Sequence, residues 1–160
     1  AGVSDIIEVR PLSDEKHRKW LKRQKGTFDV VLIDAPCSST GTWRRNPDLR
    51  WRTYGPSVDD LVTVQAEILE KVAKCVKPGG KLVYATCSLL PEENEKQIEK
   101  FVTAHPDFTL TPPENVSDNS GYMRMTPKRH NTDGFFAAVL VRDASVADPA
   151  EDSDGETPSL

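Results

Sequence analysis

Phe28-Asp29-Val30-Val31-Leu32-Ile33, followed by Asp34-Ala35-Pro36-Cys37-Ser38, is the stretch that decides the fold. A nearly unbroken apolar run of this length reads as a strand covered on both faces, as in a parallel sheet. A second such run, Lys81-Leu82-Val83-Tyr84-Ala85, leads into Thr86-Cys87-Ser88. Ligands of parallel sheets bind beyond the carboxyl ends of the strands. If the two runs are neighbours, Cys37 and Cys87 stand on one rim, and the carboxyl group of Asp34 shares their crevice.

Around these runs the chain alternates. Asp5 to Arg10 predicts a short strand and Asp14 to Gln24 a basic helix. A long connection from Asp34 to Pro56 follows the strand at Phe28 to Ile33, and connections of that length in compact domains are usually functional. A helix is expected from about Val58 to Val76, capped by Ser57 with Asp60, with Leu61, Val64, Ile68, Val72 and Val76 at helical spacing. Lys77-Pro78-Gly79-Gly80 stops it. Pro91 with Glu92 and Glu93 opens another helix, which buries Ile98, Phe101 and Val102 and ends before His105-Pro106. The last strand is Phe135 to Val141, paired with Gly121 to Met125. Strands alternating with helices predict an α/β sheet.

Composition sets the bounds. The chain has 160 residues, 37% of them hydrophobic and 29% charged, which suits one globular domain. No apolar stretch approaches the roughly 20 residues of a membrane span and no secretory pattern opens the chain, so a cytoplasmic protein without a membrane partner is expected. Three cysteines with no C-x-x-C pair suggest neither a disulfide framework nor zinc, and no metal is expected.

The net charge of −4 is unevenly spread. Asp143, Asp148, Glu151, Asp152, Asp154 and Glu156 share the end of the chain with no base, and residues 143–160 read as an acidic disordered tail. Bases cluster at Lys16, Arg18, Lys19, Lys22, Arg23 and Lys25, where a solvated helix face explains them as well as phosphate binding does. Arg44, Arg45, Arg50 and Arg52 form a second cluster, interleaved with Trp43, Trp51 and Tyr54. Guanidinium groups beside aromatic faces suit unstacked bases and a phosphate backbone, although Trp43 and Trp51 could instead pack under their own loop.

Two thiols and a carboxylate meet the needs of one reaction. An ionised cysteine adds to C6 of a pyrimidine, and C5 becomes carbanion-like and takes a methyl group from a sulfonium donor. A second group then assists loss of the C5 proton, while a carboxyl group on the N3 and amino edge draws electron density from the ring. Asp34, Cys37 and Cys87 fit those three parts. Cys75 reads as core packing, His17 and His105 as helix residues, and Trp20 as the buried side of its helix. His130 stands near the expected rim.

Asp34-Ala35-Pro36-Cys37-Ser38-Ser39-Thr40-Gly41, with Arg44-Arg45-Asn46-Pro47-Asp48, resembles motif IV of the Sun/Fmu family of RNA cytosine-5 methyltransferases. Tyr84-Ala85-Thr86-Cys87-Ser88 through Asn94 resembles its motif VI, and His130-Asn131-Thr132-Asp133-Gly134-Phe135-Phe136 its last strand motif. The resemblance implies a Rossmann-like class I methyltransferase sheet, with Cys87 as nucleophile, Cys37 assisting proton removal and release, and Asp34 on the cytosine edge. It implies S-adenosylmethionine beside Asp34, Ala35 and Pro36, and RNA, expected to be bacterial ribosomal RNA, along Trp43, Arg44, Arg45, Arg50 and Trp51.

The chain departs from the family's pattern in two respects. No glycine-rich turn precedes Phe28, and Pro11-Leu12-Ser13 stands where an acidic residue is usual. Residues 1–142 therefore read as the carboxyl-terminal part of a catalytic domain, with the first strands and an upstream segment missing and the cofactor site incomplete. The chain alone is expected to be inactive. The alternative is a non-catalytic RNA-binding or assembly module that lacks its own cofactor site.

Overall fold

The computed structural model describes residues 5–51, 55–113 and 120–146. Arg52, Tyr54 and the expected tail from residue 147 onward lie outside the described residues. The elements in order are α1 (Glu15–Lys22), β1 (Phe28–Asp34), α2 (Val58–Ala73), β2 (Val76–Thr86), α3 (Glu95–Ala104), β3 (Phe108–Thr111), β4 (Met123–Met125), α4 (Pro127–His130) and β5 (Phe135–Arg142). Two short 3-10 turns, Thr40–Thr42 and Pro47–Trp51, interrupt the long connection after β1.

The sheet runs β1-β2-β5-β3, with β4 also paired to β5. Only β1 and β2 are parallel, and the pairings of β5 with β2, β3 and β4 are antiparallel. The core joins Leu82 and Tyr84 of β2, Phe136 and Leu140 of β5, Leu69 of α2, and Ile98 and Phe101 of α3, all buried. The Ser57 hydroxyl accepts from the Asp60 N–H at 3.1 Å while the Asp60 carboxylate accepts from the Ser57 N–H at 3.0 Å. This reciprocal cap is worth about 1 kcal/mol and fixes where α2 begins.

Several expectations are corrected. Residues 5–10 form no strand, and Ile6, Ile7 and Val9 stand 84%, 57% and 79% exposed. A lone extended segment gains no ladder hydrogen bonds to offset its ordering entropy. Likewise β1 is covered on one face only: Ile33 is buried, whereas Val30 and Leu32 are 57% and 66% exposed. The second helix ends at Ala73 rather than Val76, because Val76 pairs with Phe28 and opens β2, with Gly79 and Gly80 inside the strand. Its inner face is Leu61, Gln65, Leu69 and Ala73, so Val64 points outward. Glu93 does not sit in an exposed first turn. It is fully buried one residue ahead of Asn94, the cap of α3. Trp20 is only half-buried on α1, which contributes no buried residue, and its ring lies 4.3 Å from the Arg10 guanidinium.

Candidate active site

Parallel pairing sets Asp34 opposite Ala85, so both chains leave the sheet at one end. The Ala35 N–H donates to the Ala85 carbonyl at 2.9 Å, which carries the pairing one residue past β1. Cys37 Sγ then lies 3.4 Å from Cys87 Sγ, and both thiols are half-buried. The Ser39 hydroxyl stands 3.5 Å from Cys87 Sγ, held there by a left-handed backbone (φ 57°) uncommon for a residue with a side chain.

Three loops meet behind the sulfurs. The Gly41 N–H donates to the Cys87 carbonyl at 2.9 Å, and the Gly134 N–H donates to the Gly41 carbonyl at 2.8 Å. A Cβ on Gly41 would lie 2.5 Å from the Gly134 carbonyl oxygen, so this junction requires glycine. Beneath it the Thr86 hydroxyl donates to Asn94 Oδ1 at 2.6 Å, and Asn94 Nδ2 donates to the Ser88 carbonyl at 2.9 Å, which fixes the turn carrying Cys87. Gln65, also fully buried, donates from Nε2 to the Pro36 carbonyl at 2.8 Å and fixes the turn carrying Cys37.

Burial pushes the Cys37 thiol up to about 11, the neighbouring Cys87 side chain raising it further against the lowering effect of the Ser39 backbone. Cys37 therefore holds its proton at neutral pH. Burial likewise raises the Tyr84 phenol, as does the negative charge of Glu93, and its hydroxyl donates to the Glu93 carbonyl at 2.7 Å.

The remaining expected residues divide. Asp34 presents an exposed carboxyl group at the end of β1, Ala35 is buried, and the Pro36 carbonyl is occupied by Gln65. Of the three residues expected beside a methyl donor, Asp34 therefore offers the free polar group. Trp51 is 73% exposed, whereas Trp43 is half-buried and its indole N–H is buried without a hydrogen-bond partner among the described residues. The Arg50 guanidinium lies 5.1 Å from the Trp51 ring and 6.0 Å from the Trp43 ring. Arg45 pairs with Asp133 at 2.7 Å and Arg44 donates to Asn131 at 3.3 Å, which docks the connection after β1 onto the loop before β5.

Cys75 is buried and its thiol is raised by that burial. His130 accepts the Thr126 N–H at 3.0 Å on Nδ1 and so caps its own short helix. His105 contacts Glu70 at 2.7 Å. Among the described residues no cluster of three or more His, Cys, Asp or Glu could hold a metal ion, and no helix is long and apolar enough to cross a membrane. The sequence gives no site role of their own to Ser38, Ser88, Glu93, Asn94, Gln65, Gly41 or Gly134. The signal for the last two was present, as glycines inside motif-like loops.

A family model described as 16S rRNA methyltransferase RsmB/F matches residues 6–141. The chain belongs to this family. RsmB/F membership agrees with the Sun/Fmu resemblance, and the sheet is the corresponding part of a Rossmann-like fold. Ribosomal RNA small subunit methyltransferase B of Salmonella arizonae is 44% identical over 124 residues, 78% of this chain and 28% of that protein. The crystal structure of PH0851 superposes with a TM-score of 0.68 at 46% identity, covering 72% of this chain and 27% of the other. NSun6 from Pyrococcus horikoshii, solved with SFG, gives a TM-score of 0.59 at 28% identity, covering 72% and 30%. The chain thus spans less than a third of the length of these relatives.

Proposed function

We propose that this chain carries the two-thiol part of an RNA methyltransferase site that acts on C5 of cytosine, with ribosomal RNA as substrate. The observation that carries the reading is the 3.4 Å separation of Cys37 and Cys87 on one rim, beside an exposed arginine–tryptophan loop. Membership in the RsmB/F family supports the RNA and methyl-transfer parts of it.

In this reading the Cys87 thiolate adds to C6 of the cytosine, forming an S–C bond and moving the C5=C6 electron pair onto C5. Asp34 binds the N3 and amino edge and stabilises the charge that develops there. S-adenosylmethionine, when bound beside Asp34, Ala35 and Pro36, supplies an electrophilic methyl group. The C5 proton is then removed, C5=C6 re-forms, and the Cys87 sulfur departs. Cys37, 3.4 Å from that departing sulfur, assists proton removal and release of the product. Trp51, Trp43, Arg44, Arg45 and Arg50 lie along the RNA, by stacking and phosphate contact.

The exposed Val30 and Leu32 on β1 argue that this face is covered in the working enzyme. We therefore expect the chain alone to bind S-adenosylmethionine weakly, and micromolar binding by calorimetry would contradict that. The thiol assignments are tested with excess S-adenosylmethionine, because the step given to Cys37 follows methyl transfer, whereas addition by Cys87 precedes it. With 16S rRNA, Cys37→Ala is expected to accumulate protein–RNA adducts on denaturing gels and Cys87→Ala to form none. Equal adduct levels in both variants would overturn the roles.

A further inference from the structure

Glu93 is fully buried, and the reaction above does not use it. A carboxylate taken out of water costs several kcal/mol unless donors satisfy it, so a buried one with no task is disfavoured against an apolar side chain of similar size. Here the donors come from both sides of the candidate site. Glu93 Oε2 accepts from the Ser38 hydroxyl at 2.5 Å and from the Ser88 hydroxyl at 2.5 Å. Glu93 Oε1 accepts from the Ser38 N–H at 2.8 Å and from Gln65 Nε2 at 3.1 Å.

Ser38 follows Cys37 in the chain and Ser88 follows Cys87. The residues next to the two thiols are therefore pinned to one oxygen atom, although they belong to loops that leave different strands. We propose that Glu93 is a positioning residue whose carboxylate, by gripping Ser38 and Ser88 together, sets the distance between the thiols of Cys37 and Cys87. The inference rests on the reading that these thiols are the reacting groups. Gln65 completes the grip, since the same amide that donates to Glu93 also holds the Pro36 carbonyl and is itself held by Gln97 at 3.1 Å.

A residue that only filled space would affect stability and leave the thiol pair unchanged. The two roles separate in the equilibrium between the dithiol and its disulfide in glutathione buffers. There each Cys37–Cys87 disulfide formed converts one oxidised glutathione into two reduced ones, and the constant reports the effective concentration of one thiol at the other. The measurement uses the whole chain with Cys75→Ala, so that only the two rim thiols remain. Glu93→Gln keeps the shape but turns one oxygen into a donor, which cannot accept from the serines or from the Ser38 N–H and Gln65.

Glu93→Gln is expected to lower that constant about tenfold with the fold retained by circular dichroism, and Glu93→Asp to restore part of the loss. If Glu93→Gln does not fold, the Ser38→Ala and Ser88→Ala double variant is expected to show the same loss. An unchanged constant in folded Glu93→Gln, or in the double variant where Glu93→Gln does not fold, would overturn the proposal. No RNA or methyl donor enters this assay. Failure of the cytosine chemistry would appear instead in the adduct gels of the Cys37 and Cys87 variants.

Discussion

The rim beneath the two sulfurs and the arginine–tryptophan loop that follows Cys37 are opposite in construction. The rim is built from buried polar groups whose donors and acceptors are matched: Glu93, Asn94, Gln65, Ser88 and Thr86. The loop carries its charge outside, with Arg44, Arg45, Arg50 and Trp51 exposed and two short 3-10 turns as the only regular structure among its described residues. Buried networks over-determine atomic positions, which suits groups that must react at fixed separation. An exposed basic and aromatic surface adapts to a flexible polyanion. The difference separates residues fixed by buried hydrogen bonds from residues that face outward.

The sharpest way to break the comparison is at the junction of the loops. Gly41→Ala would place a methyl group against the Gly134 backbone, so it is expected to cost about 3 kcal/mol in chemical denaturation and to abolish pairing of the thiols. Full stability would show that the rim is not rigid there. On the loop, Trp51→Ala is expected to weaken RNA binding by about 1–3 kcal/mol with no change in melting temperature, and a lowered melting temperature would place Trp51 with the rim. Trp43→Ala, half-buried, is expected to lose stability as well as affinity.

Smaller effects follow from charge. Arg45→Ala is expected to change stability by less than about 1 kcal/mol despite its contact with Asp133, because the pair is exposed. It should reduce the slope of log affinity against log salt by about 0.7–0.9 if Arg45 meets a phosphate. The raised Cys37 thiol adds a pH signature. Its unfolded value is ordinary and its folded value is about 11, so its contribution to stability is complete below about pH 9 and is lost as pH rises toward 11. Denaturation midpoints across that window should fall less in Cys37→Ala than in the parent chain.

Much of this architecture is legible before any coordinates, and what escapes depends on partners distant in sequence. The runs at 28–33 and 81–85 gave both central strands, and Ser57 with Asp60 gave the start of α2. Periodicity counts apolar residues, however, so it put Val64 on the inner face of α2 and missed that Gln65 goes inside because it has three polar partners there. Glu93 reads from the sequence only as one of the acids that open the next helix. Nothing local says that donors wait for this carboxylate on Ser38, after β1, and on Gln65 of α2. β3 escaped because four residues, Phe108 to Thr111, give too little alternation to read, and β5 supplies the partner that makes them a strand.

The most direct test of the account is to find which atom bonds to RNA. With 16S rRNA carrying 5-fluorocytidine and excess S-adenosylmethionine, methyl transfer leaves on C5 a fluorine that cannot depart as a proton does, and the trapped adduct should be digested and its peptide sequenced by mass spectrometry. The account predicts a single modified residue, Cys87, in the wild-type chain and in Cys37→Ala. An adduct at Cys37, or one that persists in Cys87→Ala, would contradict it.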